Sequence, residues 1–141
     1  EIRLSLVGSE MCIRDRNNKV AIKARKYSYS PYSKFAVGAA LLTVNNKIYT
    51  GTNIECASYS LCICAERVAF TKALSEGEKN FKAIAISASK NKYIFPCGAC
   101  RQFMYEFEKD LEVIIIKSIR EIKVFQLSEL IPGAFDKKSL K

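Results

Sequence analysis

Cys64-Ala65-Glu66-Arg67 and, further along the chain, Pro96-Cys97-Gly98-Ala99-Cys100 are the stretches from which the rest of this sequence is read. Cys97 and Cys100 are three apart behind a proline, the spacing of two side chains on one face of a helix start. Helix starts carry partial positive charge, which favours thiolate over thiol. Cys64 sits at a second predicted helix start and supplies a third sulfur by the same reasoning. Zinc takes four ligands in a tetrahedron, so three protein sulfurs leave one position for water, as in a reactive site rather than a structural one. Zinc also lowers the pKa of bound water from about 15.7 towards 7. Glu66 is the candidate general acid and base beside that water. A spacing of two does not place Cys64 and Glu66 on one helical face, so this role requires Cys64 to lie just before the helix.

Two other readings of these cysteines stand beside the first. Cys62 and Cys64 in C-x-C spacing, with Cys97 and Cys100, would close a four-thiolate structural site in a binding or scaffold protein. A redox C-x-x-C is the weaker alternative, because no thioredoxin-like pattern surrounds Cys97 and Cys100.

The 141 residues contain no histidine, which removes Ser-His-Asp and Cys-His catalysis and leaves thiolates or carboxylates to hold a metal. Three thiolates on one Zn²⁺ sum to a net charge of −1, and the Arg67 guanidinium is placed to offset it. A hydrophobic fraction of 49% implies a folded globule, and the length implies one domain. The six cysteines read as reduced thiols of a cytoplasmic protein rather than as a disulfide scaffold. No apolar run reaches the roughly 20 residues of a membrane span. The net charge of +9 comes from lysines scattered from Lys19 to Lys141, a solvated surface rather than a nucleic-acid tract.

Leu4 to Arg16 reads as a translated sequencing adapter: ATG TGT ATA AGA GAC encodes Met-Cys-Ile-Arg-Asp, the run Met11 to Asp15. Residues 1–16 are therefore set aside as an adapter-like, non-native leader, and residues 17–141 are read as a single catalytic domain. Val20, Ile22, Ala24 and Tyr27 predict an amphipathic helix ending before Ser30-Pro31. Val37 to Val44 and Lys47 to Gly51, joined by Asn45-Asn46, predict a hairpin. Asn53-Ile54-Glu55 extends its second strand, with Asn53 and Glu55 on one face and Ile54 in the core. Helices are predicted from Cys64 towards Gly77 and from Pro96 through Phe107. Strands are predicted at Lys82 to Ala88, Leu111 to Ile116 and Ile122 to Phe125, with a helical turn at Leu127 to Ile131. The pattern predicts a mixed sheet of about five strands sandwiched by helices, a three-layer α/β/α fold.

Ser30 to Leu41, Asn53-Ile54-Glu55, Cys64-Ala65-Glu66-Arg67, Pro96 to Gln102 and Leu130 to Phe135 together resemble the small, three-cysteine, homotetrameric cytidine deaminases. The resemblance runs from about Asn17 to the C-terminus. It implies one zinc ion per subunit on Cys64, Cys97 and Cys100, and hydrolytic deamination of free cytidine and deoxycytidine in pyrimidine salvage. It implies Glu66 as proton carrier, Asn53 and Glu55 as ribose ligands, and Phe35 and the Ala65 backbone against the base. Arg67 and Gln102 then lie around the metal ligands. Phe135 is implied to reach a neighbouring subunit's active site, so that sites are shared across a tetramer. A related cytosine nucleoside antibiotic, or a base in RNA, is the alternative substrate. Cys56, Ser60, Cys62 and Phe95 depart from the family pattern.

Overall fold

The computed structural model describes residues 2–141, with side chains from residue 10 onward. Helix α1 spans Ile2–Ala24, so residues 2–16 run into the helix predicted after them; side chains of residues 1–9 lie outside the described part. The elements that follow are β1 (Val37–Thr43), β2 (Ile48–Thr52), α2 (Ala65–Ser75), β3 (Phe81–Ala88), α3 (Gly98–Phe107), β4 (Glu112–Ser118), β5 (Glu121–Gln126) and α4 (Leu127–Leu130). The strands form a sheet of order β2-β1-β3-β4-β5 in which only β3 and β4 pair in parallel. Among the described residues, no helix is long and apolar enough to cross a membrane.

The alternation of side chains along a strand divides the sheet into two buried faces. Ala39 and Leu41 of β1, Ile84 and Ile86 of β3, and Val113 and Ile115 of β4 join α2 and α3 in one core. The intervening residues Ala40, Leu42, Ala83, Ala85, Ile114 and Ile116 meet α1 in the other. Register keeps each row on its face: Leu41 opposes Ile84, which opposes Val113. The central strands are apolar on both faces because each face is covered by helix. This is the three-layer α/β/α arrangement expected.

Two sequence expectations change. The sheet-facing side of α1 is built from Asn17, Ala21 and Ala24, all buried, while Val20 and Ile22 are only partly covered and Tyr27 is exposed. The cause is close approach: a Cβ on Gly38 of β1 would collide with the Ala21 carbonyl and lie 2.8 Å from the Arg25 nitrogen. Such spacing admits alanine and a well-bonded asparagine, and Asn17 Nδ2 donates to the Ala40 carbonyl at 3.0 Å. Ile54 is the second case. Strand β2 stops at Thr52, and Ile54 instead bridges Tyr29 and Ile63 away from the sheet, leaving its side chain exposed rather than in the core.

Candidate active site

Two helix starts converge on the α2/α3 face of the sheet. Cys64 is the N-cap of α2, with extended backbone at φ −75° and ψ 153°, and Cys97 is the N-cap of α3. The condition set by the Cys64/Glu66 spacing is thus met: Cys64 lies before the first helical residue, and Glu66 is the second residue of α2. The Sγ atoms of Cys64, Cys97 and Cys100 all lie within 4.8 Å of one another, and those of Cys64 and Cys97 are 3.9 Å apart. A tetrahedral zinc with Zn–S bonds of about 2.3 Å sets its sulfurs about 3.8 Å apart, so the cluster fits the ion. Three soft sulfurs and no imidazole are a donor set for zinc rather than for magnesium or calcium. Cys62 is not in this cluster. Its sulfur turns to the backbone of Cys56, accepting from the Cys56 amide at 3.3 Å, so no closed four-thiolate site forms.

The electrostatics say why the cluster needs a cation. Cys100, donating to Cys64, together with Arg67 holds the Cys64 thiol down to about 5. The same contact with Cys64, and then burial, pushes the Cys100 thiol well up, because a second charge beside the first is opposed. Arg67 Nη2 donates to Cys64 Sγ at 3.5 Å, and bonding to the Cys64 and Cys100 sulfurs strengthens the guanidinium's hold on its charge. Arg67 Nε is buried with no protein partner beside these sulfurs. The protein's own groups favour thiolate at Cys64 and oppose it at Cys100, and a divalent ion between them would favour it at both.

Glu66 is 5% exposed, and burial raises the pKa of its carboxyl group. Its Oε2 accepts from Cys100 Sγ at 3.5 Å. A cavity of about 260 Å³ opens over this group, walled by Phe35, Val37, Ile86 and Phe95 and floored by Cys64, Ala65, Glu66 and Cys97. Asn53 reaches the same cavity from the end of β2. Its Oδ1 accepts from the Val37 amide at 2.8 Å and from Ser28 Oγ at 2.5 Å, and its Nδ2 donates to the Phe35 carbonyl at 2.7 Å. These bonds fix Phe35 against the cavity wall.

Glu55 follows Asn53 by two residues along a bridged, extended stretch: the Asn53 carbonyl accepts from the Tyr29 amide at 3.1 Å and the Glu55 amide donates to the Tyr29 carbonyl at 2.8 Å. It lines a second cavity, of about 320 Å³, with Tyr32, Ser33, Tyr59 and Cys62. Its carboxylate accepts from the Tyr32 and Ser33 amides at 3.0 and 3.1 Å and from the Ser33 hydroxyl. Those donors, led by the Ser33 hydroxyl, hold the Glu55 carboxyl below its usual range. Gln102 Nε2 donates to the Phe135 carbonyl at 2.7 Å and ties down the tail that carries the exposed Phe135 ring. Val37, Ile86, Ile94 and Phe95 were not foreseen as cavity residues. Ile94 and Phe95 directly precede Pro96-Cys97, and that adjacency was the available signal.

Residues 13–117 match the family described as the cytidine and deoxycytidylate deaminase zinc-binding region. A probable cytidine deaminase of Dictyostelium discoideum is 47% identical over 93% of this chain and 86% of its own length. The cytidine deaminase of Sporosarcina psychrophila is 46% identical over 84% of this chain and 88% of its own. Among solved structures, the cytidine deaminase of Burkholderia pseudomallei superposes with a TM-score of 0.81 at 43% identity, covering 85% of this chain and 97% of that one. That of Mycobacterium tuberculosis gives 0.75 at 34%, covering 86% and 95%. With the three-sulfur cluster, the buried carboxyl group and the sheet order in agreement, this chain belongs to the cytidine and deoxycytidylate deaminase family.

Proposed function

We propose that this chain hydrolyses free cytidine and deoxycytidine to uridine and deoxyuridine with release of ammonia, using one zinc ion per subunit on Cys64, Cys97 and Cys100. The observation that carries the reading is Glu66, a carboxyl group almost wholly buried at the floor of a cavity beside the three sulfurs. When bound, zinc supplies a Lewis acid that makes a water nucleophilic at neutral pH. Glu66 accepts the proton that this water gives up, delivers it to N3 of the pyrimidine, and carries a second proton to the departing amine. Burial raises its pKa and so suits it to move protons in both directions. Phe35, Val37 and Phe95 form apolar walls that hold the flat base and exclude bulk water. The Ala65 backbone faces the pyrimidine and Asn53 a ribose hydroxyl. Glu55 is the second ribose ligand, its carboxylate held in place by the Tyr32 and Ser33 amides next to Phe35.

The active form is a homotetramer with shared sites. One chain leaves the Phe135 ring at 56% exposure, an apolar side chain for a partner chain to cover. Phe135 then completes the cavity of a neighbour. Six free cysteines suit a reducing cytoplasm.

Ultraviolet-monitored turnover of cytidine, with and without a zinc chelator and beside Glu66→Gln, tests the reading. Turnover that chelation abolishes, and a loss of about 10²–10⁴-fold in Glu66→Gln at unchanged zinc content, is expected. A zinc-loaded tetramer that releases no ammonia from cytidine overturns it.

A further inference from the structure

Three of the six cysteines lie outside the sulfur cluster, and two of them, Cys56 and Cys62, meet each other. The Cys56 amide donates to Cys62 Sγ at 3.3 Å, Cys62 Sγ lies 3.7 Å from the Cys56 carbonyl, and Cys56 Sγ lies 4.0 Å from the Leu61 carbonyl. Both side chains are partly exposed. They flank one bend, whose base is already closed by the Ile54–Ile63 bridge, with reciprocal amide-to-carbonyl bonds of 3.0 and 2.9 Å. We propose that Cys56 and Cys62 form a thiol pair, separate from the metal cluster, that a low-molecular-weight disulfide oxidises reversibly to an intramolecular disulfide.

The geometry favours this bond over others the chain could make. A disulfide needs Cα atoms about 4–7 Å apart, and the Cys62 sulfur already lies against the Cys56 backbone, 3.3 Å from its nitrogen and 3.7 Å from its carbonyl oxygen. The Ile54–Ile63 bridge has already met most of the entropic cost of closing a loop between residues 56 and 62. Cys64, Cys97 and Cys100 are withheld from the same chemistry when they hold zinc. The exchange runs in two steps. One cysteine sulfur attacks the small disulfide, forming a mixed disulfide and expelling one small thiol. The second cysteine sulfur then attacks the protein sulfur of that mixed disulfide and expels the other. The two protein thiols lose two electrons and two protons, and the small disulfide leaves as two thiols. The bond would staple the segment that follows Glu55 and borders the cavity shared with Tyr32, Ser33 and Tyr59.

The test reads thiols and zinc rather than turnover, so it stands or falls apart from the deaminase reading. Zinc-loaded protein is incubated with glutathione disulfide, the remaining thiols are alkylated, and intact mass, peptide map and zinc content are measured. The expected result is a species lighter by two hydrogens, with Cys56 and Cys62 protected from alkylation, zinc retained, and full reversal by dithiothreitol. The Cys56→Ser and Cys62→Ser variants are expected to keep zinc and to yield no such species. Glutathione adducts without the internal bond, thiol loss that only accompanies zinc release, or no reaction at Cys56 and Cys62 each overturn the proposal.

Discussion

The Arg67 guanidinium sits one helical turn beyond Cys64 and donates to its sulfur at 3.5 Å. It is thus a positive charge held against a cluster that gathers three negative ones. Partners of metal ligands typically contribute 10–100-fold in metal affinity or activity. Arg67→Gln keeps much of the side-chain volume and removes the charge. We expect zinc to bind about 10–100-fold more weakly, measured by competition with a chromophoric chelator, while the far-ultraviolet circular dichroism of the metal-loaded protein stays the same. Unchanged affinity would show that the cation plays no part in holding the metal.

Asn53 ties three backbone or hydroxyl groups to one side chain, and two of them belong to Phe35 and Val37 in the cavity wall. Asn53→Ala leaves the Val37 amide and the Phe35 carbonyl without these partners. A part-buried polar group so abandoned costs about 1–3 kcal/mol. The variant is expected to lose about 2 kcal/mol in urea unfolding and to raise KM for the nucleoside, because Phe35 is no longer fixed. A stability loss with unchanged KM would limit Asn53 to a structural role.

Much of this arrangement is legible from local rules. Ala39/Leu41 and Ala40/Leu42 alternate between the two cores because a strand has period two. The Cys64/Glu66 spacing is informative because it works with only one helix start, the one observed. What escapes is set by contacts distant in sequence. The face of α1 depends on Gly38, whose lack of a side chain lets the helix come close. Glu55 finds its partners in the Tyr32 and Ser33 amides. Gln102, beside the metal motif in sequence, is spent on the carbonyl of Phe135. None of these partners is marked by periodicity.

Glu55 gives a pH dependence whose sign is determined. Its donors hold the folded-state pKa below the ordinary value of 4.5. A depressed carboxylate adds stability that is fully present above the unfolded-state pKa and is lost as pH falls through the folded one. The stability difference between the parent chain and Glu55→Gln should therefore be constant between pH 7 and about 5.5 and shrink below 4.5. Urea unfolding across that range measures it, and a difference that instead grows on acidification would contradict the assignment.

Gly51 of β2 lies directly beneath the first turn of α2. A Cβ there would strike the Ala65 carbonyl and lie 2.5 Å from the Ala69 nitrogen. Both are helix backbone, so relief requires moving α2, which carries Cys64 at its cap and Glu66 in its first turn. Gly51→Ala is expected to cost at least about 2–3 kcal/mol, as overpacking against backbone does, and to weaken zinc binding because one sulfur shifts relative to the other two. Gly98, the first residue of α3 and the immediate neighbour of Cys97, is the control. A Cβ there meets nothing within 4 Å, and its backbone is not in the left-handed region. Gly98→Ala should leave zinc affinity unchanged and stability equal to, or up to about 1 kcal/mol above, that of the parent chain. If Gly51→Ala instead matched Gly98→Ala in both readouts, the close seating of α2 on β2 would not be what sets the position of Cys64.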